Sequence, residues 1–286
     1  MAEFVGVFFA LIAALAWGSS FVPLKLAGKV DNIQYNAFVG IGIFLSTLLS
    51  LPLLNFTISF SQYGLLSGAM WALGNVLTLI SVRSIGISKA TPMIGALIIL
   101  STFLTGVLFF KEQLTSIALA MIGVAFLIFA IPLIIATKEN KGDNSAKGII
   151  YAAMAGVIFG SYITPLKLSG TGISEYIFSM VSGILMTSWV VYLLSLRAKR
   201  QSLSFNKIIN SLSSGIMWTI GNITSLLAIN SIGLSIGFPL TQLQLLINVG
   251  WGIFYFKEVK GNRTILKIII GSILLLIGAV LLALSK

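Results

Sequence analysis

Apolar runs of about 20 residues recur along the whole chain, and a run of that length crosses the bilayer core as one helix. Of the 286 residues, 57% are hydrophobic and only 9% are charged. A soluble domain carries about 25% charged residues, so this composition cannot supply a water-facing surface. The fold class expected is therefore an all-α integral membrane protein embedded in the lipid bilayer.

Charged residues, glycines, prolines and asparagines divide the apolar sequence into ten segments, each long enough to span a membrane. The predicted transmembrane helices are 4–24, 33–53, 62–82, 90–110, 115–136, 148–168, 173–196, 207–228, 234–256 and 264–284. The most polar stretch, 138–147, is predicted to be a solvated linker that joins residues 1–137 to residues 148–286.

The two halves of the chain repeat four motifs in the same order. SGAMWALGN at Ser67–Asn75 matches SGIMWTIGN at Ser214–Asn222. The other pairs are WGSSFVPLK with FGSYITPLK, SIGISKATP with SIGLSIGFP, and Phe-Lys-Glu at 110–112 with the same tripeptide at 256–258. Chance matches in apolar sequence would not keep this order and spacing, so the pattern indicates an internal duplication.

Each repeat contains five predicted spans, which is an odd number. A chain that crosses the membrane five times leaves on the side opposite to the one it entered, so the second repeat must be inverted relative to the first. Inverted repeats are typical of transporters, in which a site near the midplane lies between the two halves. The predicted architecture is ten transmembrane helices arranged as an inverted 5+5 repeat.

Positive charge predicts the orientation of this architecture. All but three of the 18 Lys and Arg residues fall on one predicted side of the membrane, the exceptions being Lys111, Lys167 and Lys286. Because positively charged loops favour the cytoplasmic side, both termini are expected outside the cell membrane. The net charge of +11 is spread thinly through short loops, which argues against nucleic-acid binding.

Patterns of catalysis or metal binding are missing from the sequence. The chain has no Cys and no His, and it shows no nucleophile–base pair, no paired interior carboxylates and no phosphate loop. We therefore expect no enzyme activity, no cofactor and no metal.

The seven acidic residues all fall in loops, at termini or at span edges, whereas proton-coupled carriers usually hold an ionisable group within the membrane. Glu112 and Glu258 lie nearest to it, each beside a Lys expected to keep it ionised. Facilitated diffusion or exchange is favoured over proton symport, and sodium coupling through backbone carbonyls stays open.

Two Trp–Asn pairs are the first candidates for a binding site. Trp71 and Asn75 are four residues apart on one helix face, and Trp218 and Asn222 repeat this arrangement. An indole ring can cover the C–H face of a sugar, and an amide both donates and accepts hydrogen bonds. The same residues could instead hold helices together, and both interpretations stay open.

The predicted ninth span adds Gln244 and Asn248, which lie with Thr241 on one stripe of a helix. The matching span of the first repeat has hydroxyls but no amides, so these two residues are expected to orient the solute, with interhelical contact as the alternative. Trp17 and Tyr162 are expected to close over the solute or stack on it. The predicted substrate-binding residues are Trp17, Trp71, Asn75, Tyr162, Trp218, Asn222, Gln244 and Asn248.

The ten spans, the inverted repeat and the Lys-Glu pairs at the ends of spans 4 and 9 resemble the drug/metabolite transporter superfamily. The stretches GAMWALGN, SVRSIGISKATP and WGSSFVPLK resemble its bacterial glucose/ribose uptake branch and the eukaryotic transmembrane relatives of that branch. The resemblance covers nearly the whole chain. It implies carbohydrate transport through a central cavity lined by spans 1, 3, 4, 6, 8 and 9.

The sequence thus predicts a carrier that moves a small neutral polar solute, such as glucose or ribose, by alternating access. One alternative is an exporter of amino acids or other metabolites, and another is a membrane sensor or scaffold that transports nothing. No Lys or Arg lies deep in a span, which favours a neutral solute over a carboxylate. The expected partners are the solute and the bilayer, and the chain could be a monomer or a homodimer.

Overall fold

The structure is a computed structural model that describes residues 2–52, 57–135, 143–195 and 204–285, and these residues form helices and loops without a strand. The helices are α1 (Ala2–Ser19), α2 (Val22–Leu26), α3 (Asn32–Ser50), α4 (Gln62–Ile85), α5 (Ile87–Leu104), α6 (Ile117–Ile135), α7 (Asp143–Ser161), α8 (Thr164–Ser169), α9 (Ile173–Leu194), α10 (Phe205–Ile232), α11 (Leu234–Thr241), α12 (Gln244–Gly250) and α13 (Asn262–Leu284). Two π-helical turns, Thr105–Phe109 and Trp251–Tyr255, follow α5 and α12.

Nine helical segments in these ranges are long and apolar enough to cross a membrane. Two of them join a long helix to a short one, α1 to α2 and α7 to α8, across the breaks that precede Pro23 and Pro165. Proline is well tolerated there because the first turn of a helix lacks partners for its N–H groups. The chain is therefore a multi-pass membrane protein.

The predicted ninth span, 234–256, is not one continuous helix. It is divided into α11, α12 and the second π-helical turn, none of which is long enough to span a membrane alone. Between α11 and α12 the backbone forms tighter bonds, from Leu243 N to Leu240 O (3.2 Å) and from Leu245 N to Gln242 O (3.0 Å). These three-residue bonds replace the four-residue ladder of an α-helix, which ends α11.

The predicted linker 138–147 falls partly on residues 138–142, which lie outside the described residues. Where the description resumes, α7 already begins at Asp143, inside the predicted linker. A helix can extend past the hydrocarbon core with polar residues in its first turn, and the division of the chain at this linker stays a prediction.

Helices from residues 2–135 pack mainly against helices from residues 143–285. α1 packs along α10 and α4 packs along α7, while α3 contacts α10 and α4 contacts α9. α5 packs on α7 and α12, α3 on α9, and α6 on α13. The largest cluster of buried apolar side chains draws on helices of both halves, so neither half would bury its apolar surface alone.

At two of these helix crossings, glycines allow the backbones of the two helices to touch. A Cβ atom on Gly68 of α4 would lie 2.1 Å from the carbonyl oxygen of Met180 in α9. A Cβ atom on Gly215 of α10 would lie 2.4 Å from the carbonyl oxygen of Val39 in α3. Small residues at such crossings bring membrane helices close enough for extensive van der Waals contact.

One end of the bundle, end A, is defined by contacts among loops and helix termini. Arg83, near the C-terminus of α4, donates from Nη2 to the carbonyl oxygen of Gly28 after α2 (2.7 Å). The backbone N–H of Ile87, at the N-terminus of α5, donates to the carboxylate of Glu258 after the second π-helical turn (3.0 Å). The termini of α2, α4, α5 and that turn therefore meet at end A.

The opposite end of the bundle, end B, holds both termini of the described chain. Thr115 N, in the loop after the first π-helical turn, donates to the carbonyl oxygen of Ser285 (2.9 Å). At the start of α1, a Cβ atom on Gly6 would meet Ile232 at the C-terminus of α10. α5 and its π-helical turn together run 23 residues from end A to end B, about 34 Å at a rise of about 1.5 Å per residue.

Candidate substrate-binding site

A cavity of about 390 Å³ lies within the bundle. Small-molecule sites typically enclose roughly 300–1,000 Å³, so the cavity has the size of one. No charged residue is among those found to line it. Its polar and large aromatic lining residues are Trp17, Ser20, Phe21, Tyr35, Trp71, Asn75, Thr78, Thr91, Thr102, Phe103, Phe159, Tyr162, Ser214, Trp218, Asn222, Gln242, Gln244 and Asn248.

All eight residues predicted from the sequence to bind substrate line this one cavity. They come from α1, α4, α10, α12 and the turn that follows α7. Spans 1, 3, 4, 6, 8 and 9 of the sequence prediction all contribute to the wall, and α3 and α13 add to it. The structure thus brings the predicted residues together, and their role in binding stays a prediction.

An aromatic wall crosses the cavity. The Trp71 and Trp218 rings, which occupy matching positions of the two repeats, contact each other with centroids 4.9 Å apart and planes inclined by 63°. Trp71 also contacts Phe159 (5.9 Å), which in turn contacts Tyr162 (6.3 Å). Because the two indoles touch, no solute fits between them, and only ring faces turned towards the cavity remain available for contact with a sugar.

Trp17 is held against α10. Its Nε1 donates to the carbonyl oxygen of Trp218 (3.2 Å), and its ring lies where a Cβ atom on Gly221 would be, at 2.4 Å. The ring is therefore fixed in the wall of the cavity by a hydrogen bond and by close packing. The expected role of Trp17 as a residue that closes over the solute would require both contacts to break.

The side-chain amides of Asn75 and Asn222 are held differently although the residues occupy matching positions. Asn75 Nδ2 donates across to α3, to Oδ1 of Asn36 (2.7 Å). Asn222 Nδ2 donates within its own helix, to the carbonyl oxygen of Trp218 (2.8 Å). In the described part of the chain neither Oδ1 accepts a hydrogen bond, so both residues present an acceptor to the cavity they line.

The side-chain amide of Asn248 is held within its own helix, α12. Its Nδ2 donates to the carbonyl oxygen of Gln244 (3.1 Å), one turn earlier. The side chain is only 3% exposed, and its Oδ1 is buried without a partner among the described residues. A buried acceptor without a partner costs about 1–3 kcal/mol, and this oxygen is enclosed by protein and does not face the cavity that the residue lines.

The break between α11 and α12 changes which amides face the cavity. Thr241, expected on the same stripe as Gln244, belongs to α11 and does not line the cavity, whereas Gln242 in the break does. Gln242 Nε2 donates to the Thr241 hydroxyl oxygen (3.2 Å). A helical stripe drawn through this segment could not find Gln242, because it assumes an unbroken helix.

A buried hydroxyl group on α3 was also missed by the sequence reasoning. The hydroxyl oxygens of Tyr35 and Ser214 lie 2.7 Å apart, and Ser214 Oγ donates to the carbonyl oxygen of Ser20 (2.7 Å). All three residues line the cavity. Ser214 opens a repeated motif, which was a usable signal, but nothing in the local sequence of Tyr35 separates it from the other tyrosines.

An ion pair joins the two halves at end A. Lys25 Nζ lies 2.6 Å from the carboxylate of Glu258. That carboxylate also accepts from the backbone N–H groups of Ile87 and Ser88 and from the Ser88 hydroxyl, each at 3.0 Å. Glu258 therefore caps α5 with a negative charge at the positive end of its dipole.

A matching ion pair, between Lys167 and Glu112, lies at end B. The sequence predicted that the Lys next to each Glu in the chain keeps that Glu ionised, and this choice of partner is wrong. The neighbouring Lys111 and Lys257 are exposed and adopt left-handed backbone conformations (φ of 52° and 51°). The Lys that pairs with each Glu comes instead from the other half of the chain.

Comparison with known proteins gives a consistent result. The glucose uptake protein GlcU of Bacillus subtilis is 30% identical over 294 residues, covering 97% of both chains. A probable glucose uptake protein GlcU of Priestia megaterium is 29% identical, covering 98% of this chain and 99% of the relative. A crystal structure with 13% identity shares the fold, with a TM-score of 0.61 over 99% of this chain and 97% of the other.

The family model described as "sugar transport protein" matches residues 8–285, which is nearly the whole chain. The lining of the cavity, with amide oxygens and indole rings and without charge, agrees in character with that description. This protein belongs to the sugar transport protein family.

Proposed function

We propose that this protein carries a neutral monosaccharide, such as glucose or ribose, across the cell membrane by alternating access. The observation that carries the proposal is the pair of amide oxygens of Asn75 and Asn222 on a cavity that has no charged residue among those found to line it. Each amide uses an N–H on the protein, so each turns an acceptor towards the solute. A sugar supplies several hydroxyl donors and no charge, which matches these acceptors.

The uncharged wall disfavours anionic solutes. A carboxylate or phosphate needs a cation or a free helix N-terminus, and no Lys or Arg is among the described residues that line the cavity. Amide oxygens that face the cavity would also repel the oxygen atoms of an anionic solute. This is why a neutral sugar is favoured over the amino acids and other metabolites that a related exporter would carry.

Two inverted halves, residues 1–137 and 148–286, are part of the proposal. The counterparts in the two halves are α1 and α7, α3 and α9, and α4 and α10. Exchanging them turns the contact of α1 with α10 into the observed contact of α7 with α4. It likewise turns the contact of α3 with α10 into that of α9 with α4. α1 runs from end B to end A, while its counterpart α7 runs from end A to end B. This pattern supports a two-fold axis in the membrane plane.

Ten crossings follow if the broken segment Leu234–Tyr255 is counted as one. α11 begins beside the end of α10 at end B, and the second π-helical turn finishes near Glu258 at end A. Broken helices near the midplane are typical of substrate sites in secondary transporters, since their irregular backbone lines a cavity and not the lipid. The cavity-lining Gln242 lies at this break.

Facilitated diffusion or exchange is the favoured mode of transport. Neither Asp nor Glu is among the residues found to line the cavity, and Glu112 and Glu258 lie at opposite ends of the bundle in ion pairs. A proton carrier needs a group that changes charge beside the solute path. Uptake is therefore expected to proceed without a pH gradient.

The test is uptake of labelled sugars and amino acids by purified protein in liposomes, with and without a pH gradient. Wild-type protein is expected to show saturable uptake of a monosaccharide. Asn222→Ala is expected to lower kcat/KM about tenfold, because losing one hydrogen bond of about 1.4 kcal/mol changes an equilibrium tenfold.

A matched control for this variant exists on the same helix. Asn210 makes the same bond, from Nδ2 to the carbonyl oxygen four residues earlier (2.8 Å), but this bond is exposed and the half-buried residue does not line the cavity. Asn210→Ala should keep wild-type uptake. Equal uptake by both variants, or saturable uptake of amino acids alone, would contradict the proposed function.

Both termini are proposed to lie outside the cell. They share end B, and the positively charged loops after α2, α4 and the second π-helical turn lie at end A. We expect a C-terminal tag to be reachable by antibody on intact cells, since positive loops stay in the cytoplasm. A tag inserted after residue 140 should be reachable only after permeabilisation, and the reverse pattern would refute this orientation.

A further inference from the structure

We propose that Asn36, which lies outside the cavity, is a positioning residue that fixes the Asn75 amide and so determines which sugar hydroxyl is recognised. The proposal rests on the proposed function and names a determinant of specificity in the same site. Asn36 is 1% exposed and is not found among the lining residues. It therefore acts on a solute only through another side chain.

Asn36 makes three hydrogen bonds that hold its own amide in one orientation. Its Nδ2 donates to the Ser188 hydroxyl oxygen of α9 (3.0 Å) and to the carbonyl oxygen of Ala72 in α4 (3.3 Å). Its Oδ1 accepts from Asn75 Nδ2 (2.7 Å). Because both N–H donors of the Asn36 amide are used, its Oδ1 must point at Asn75, and Asn75 must donate to it from Nδ2.

The consequence for Asn75 is a fixed direction of its amide. Turning this amide by 180° would set two oxygens against each other, Asn75 Oδ1 against Asn36 Oδ1, in a buried place. An unmade hydrogen bond there costs about 1–3 kcal/mol. Asn75 therefore presents its side-chain Oδ1 to the cavity in nearly all molecules, and the solute group that it contacts must be a hydrogen-bond donor.

The described part of the second half has no such device. Tyr35 and Tyr176 occupy matching positions, since each donates its hydroxyl to a carbonyl oxygen of the facing helix, Asn210 (3.1 Å) and Tyr63 (3.0 Å). The residue after Tyr35 is Asn36, and the residue after Tyr176 is Ile177. Asn222 accordingly bonds to its own helix and gains no support from α9.

This difference gives the two halves unequal roles. The Asn75 oxygen is locked in direction by three helices, α3, α4 and α9, whereas the only bond of the Asn222 amide to a described residue is to the turn before it. A locked acceptor discriminates more strongly between a hydroxyl and a hydrogen at one sugar position, because it cannot turn to accept another group. Asn36 thereby sets the selectivity without touching the solute.

The experiment compares uptake of D-glucose with uptake of its monodeoxy analogues by wild-type, Asn36→Leu, Asn75→Ala and the double variant in liposomes. In the wild type one analogue, lacking the hydroxyl bound by Asn75, should be transported at least tenfold less efficiently than glucose. Asn36→Leu should reduce this ratio to about threefold or less, mainly through the KM for glucose. Because the analogue makes no bond to Asn75, its own uptake should change little.

The double variant separates positioning from a general loss of structure. If Asn36 acts through Asn75, adding Asn36→Leu to Asn75→Ala leaves the glucose-to-analogue ratio unchanged. A merely structural role would lower uptake of glucose and of every analogue by the same factor, and that result would overturn the inference. Ser188→Ala, which removes one bond of Asn36 and keeps its Oδ1 in place, should retain most of the selectivity.

The inference and the proposed function fail in different ways. Wild-type liposomes without saturable sugar uptake would overturn the proposed function and the inference together. Wild-type uptake with a selectivity that Asn36→Leu leaves intact would overturn the inference alone.

Discussion

Gly68→Ala is expected to prevent this protein from reaching a stable fold. The added Cβ would lie 2.1 Å from the Met180 carbonyl oxygen, 2.6 Å from the Ile184 backbone nitrogen and 2.8 Å from the Gly183 carbonyl carbon. All three are backbone atoms, so no side chain can move aside and α4 must separate from α9. Overpacking typically costs about 1–3 kcal/mol, and a backbone clash lies at the upper end of that range or beyond it.

The measurement is the yield of monodisperse protein in detergent and its melting temperature. Gly250→Ala is a matched control, because an added Cβ there meets nothing within 4 Å and alanine stabilises a helix by about 0.5–1 kcal/mol relative to glycine. Gly215→Ala, at the matching crossing, should resemble Gly68→Ala. Wild-type melting of Gly68→Ala would mean that α4 and α9 are not in backbone contact.

Glu258→Gln should cause the second large loss, in both stability and uptake. The carboxylate accepts from two backbone N–H groups of α5, from the Ser88 hydroxyl and from Lys25. An amide would turn a donor towards one of those donors and would leave Lys25 without its counter-charge. Removing one partner of a buried ion pair costs roughly 3–5 kcal/mol; the half-buried Lys25 reduces this cost to about 3 kcal/mol.

Melting temperature and uptake of Glu258→Gln can be compared with two other carboxylates. Glu175→Gln should behave as wild type because its side chain is exposed. Glu112→Gln should have a smaller effect, since Glu112 is 29% exposed where Glu258 is 9% exposed. Adding Lys25→Met to Glu258→Gln should cost little further, and fully additive losses would argue against the pair.

The proposed alternating access also gives Glu258→Gln a readout other than stability. The ion pairs of Glu258 and Glu112 lie at opposite ends of the bundle, so loss of the first should favour conformations open at end A. The chain has no Cys, and a single Cys placed near Lys25 can therefore report opening by its labelling rate with a water-soluble maleimide. We expect faster labelling in Glu258→Gln and slower or unchanged labelling in Glu112→Gln.

The sequence predicted the helical membrane fold because apolar length is a direct physical requirement of the bilayer. It also predicted which residues share the cavity, since Trp71 with Asn75 and Trp218 with Asn222 stand out as large or polar groups in apolar helices. The break after Thr241 was missed, because hydropathy sums over a segment and does not register where the backbone ladder changes. The sequence likewise could not show that the two indoles touch.

Long-range partners were the other limit of sequence reasoning. Glu258 was assigned to its neighbour Lys257, but the left-handed conformation of Lys257 turns the chain so that the carboxylate meets Lys25. Asn36 was not considered at all, because an asparagine near the start of a span is common. Its importance depends on Asn75 and Ser188, which are 39 and 152 residues away along the chain.

The contact between Trp71 and Trp218 has a consequence for kinetics. The indoles occupy matching positions where α4 and α10 face each other, so a sugar in the proposed site would lie beside them and near Gln244 and Asn248, which have no amide counterpart in the matching span of the first half. Under the proposed alternating access, a sugar arriving from outside and one arriving from the cytoplasm then meet different chemical groups. Half-saturation concentrations for influx and efflux need not be equal under the proposed mechanism, and a carrier of this kind can act as a partial rectifier without any energy source.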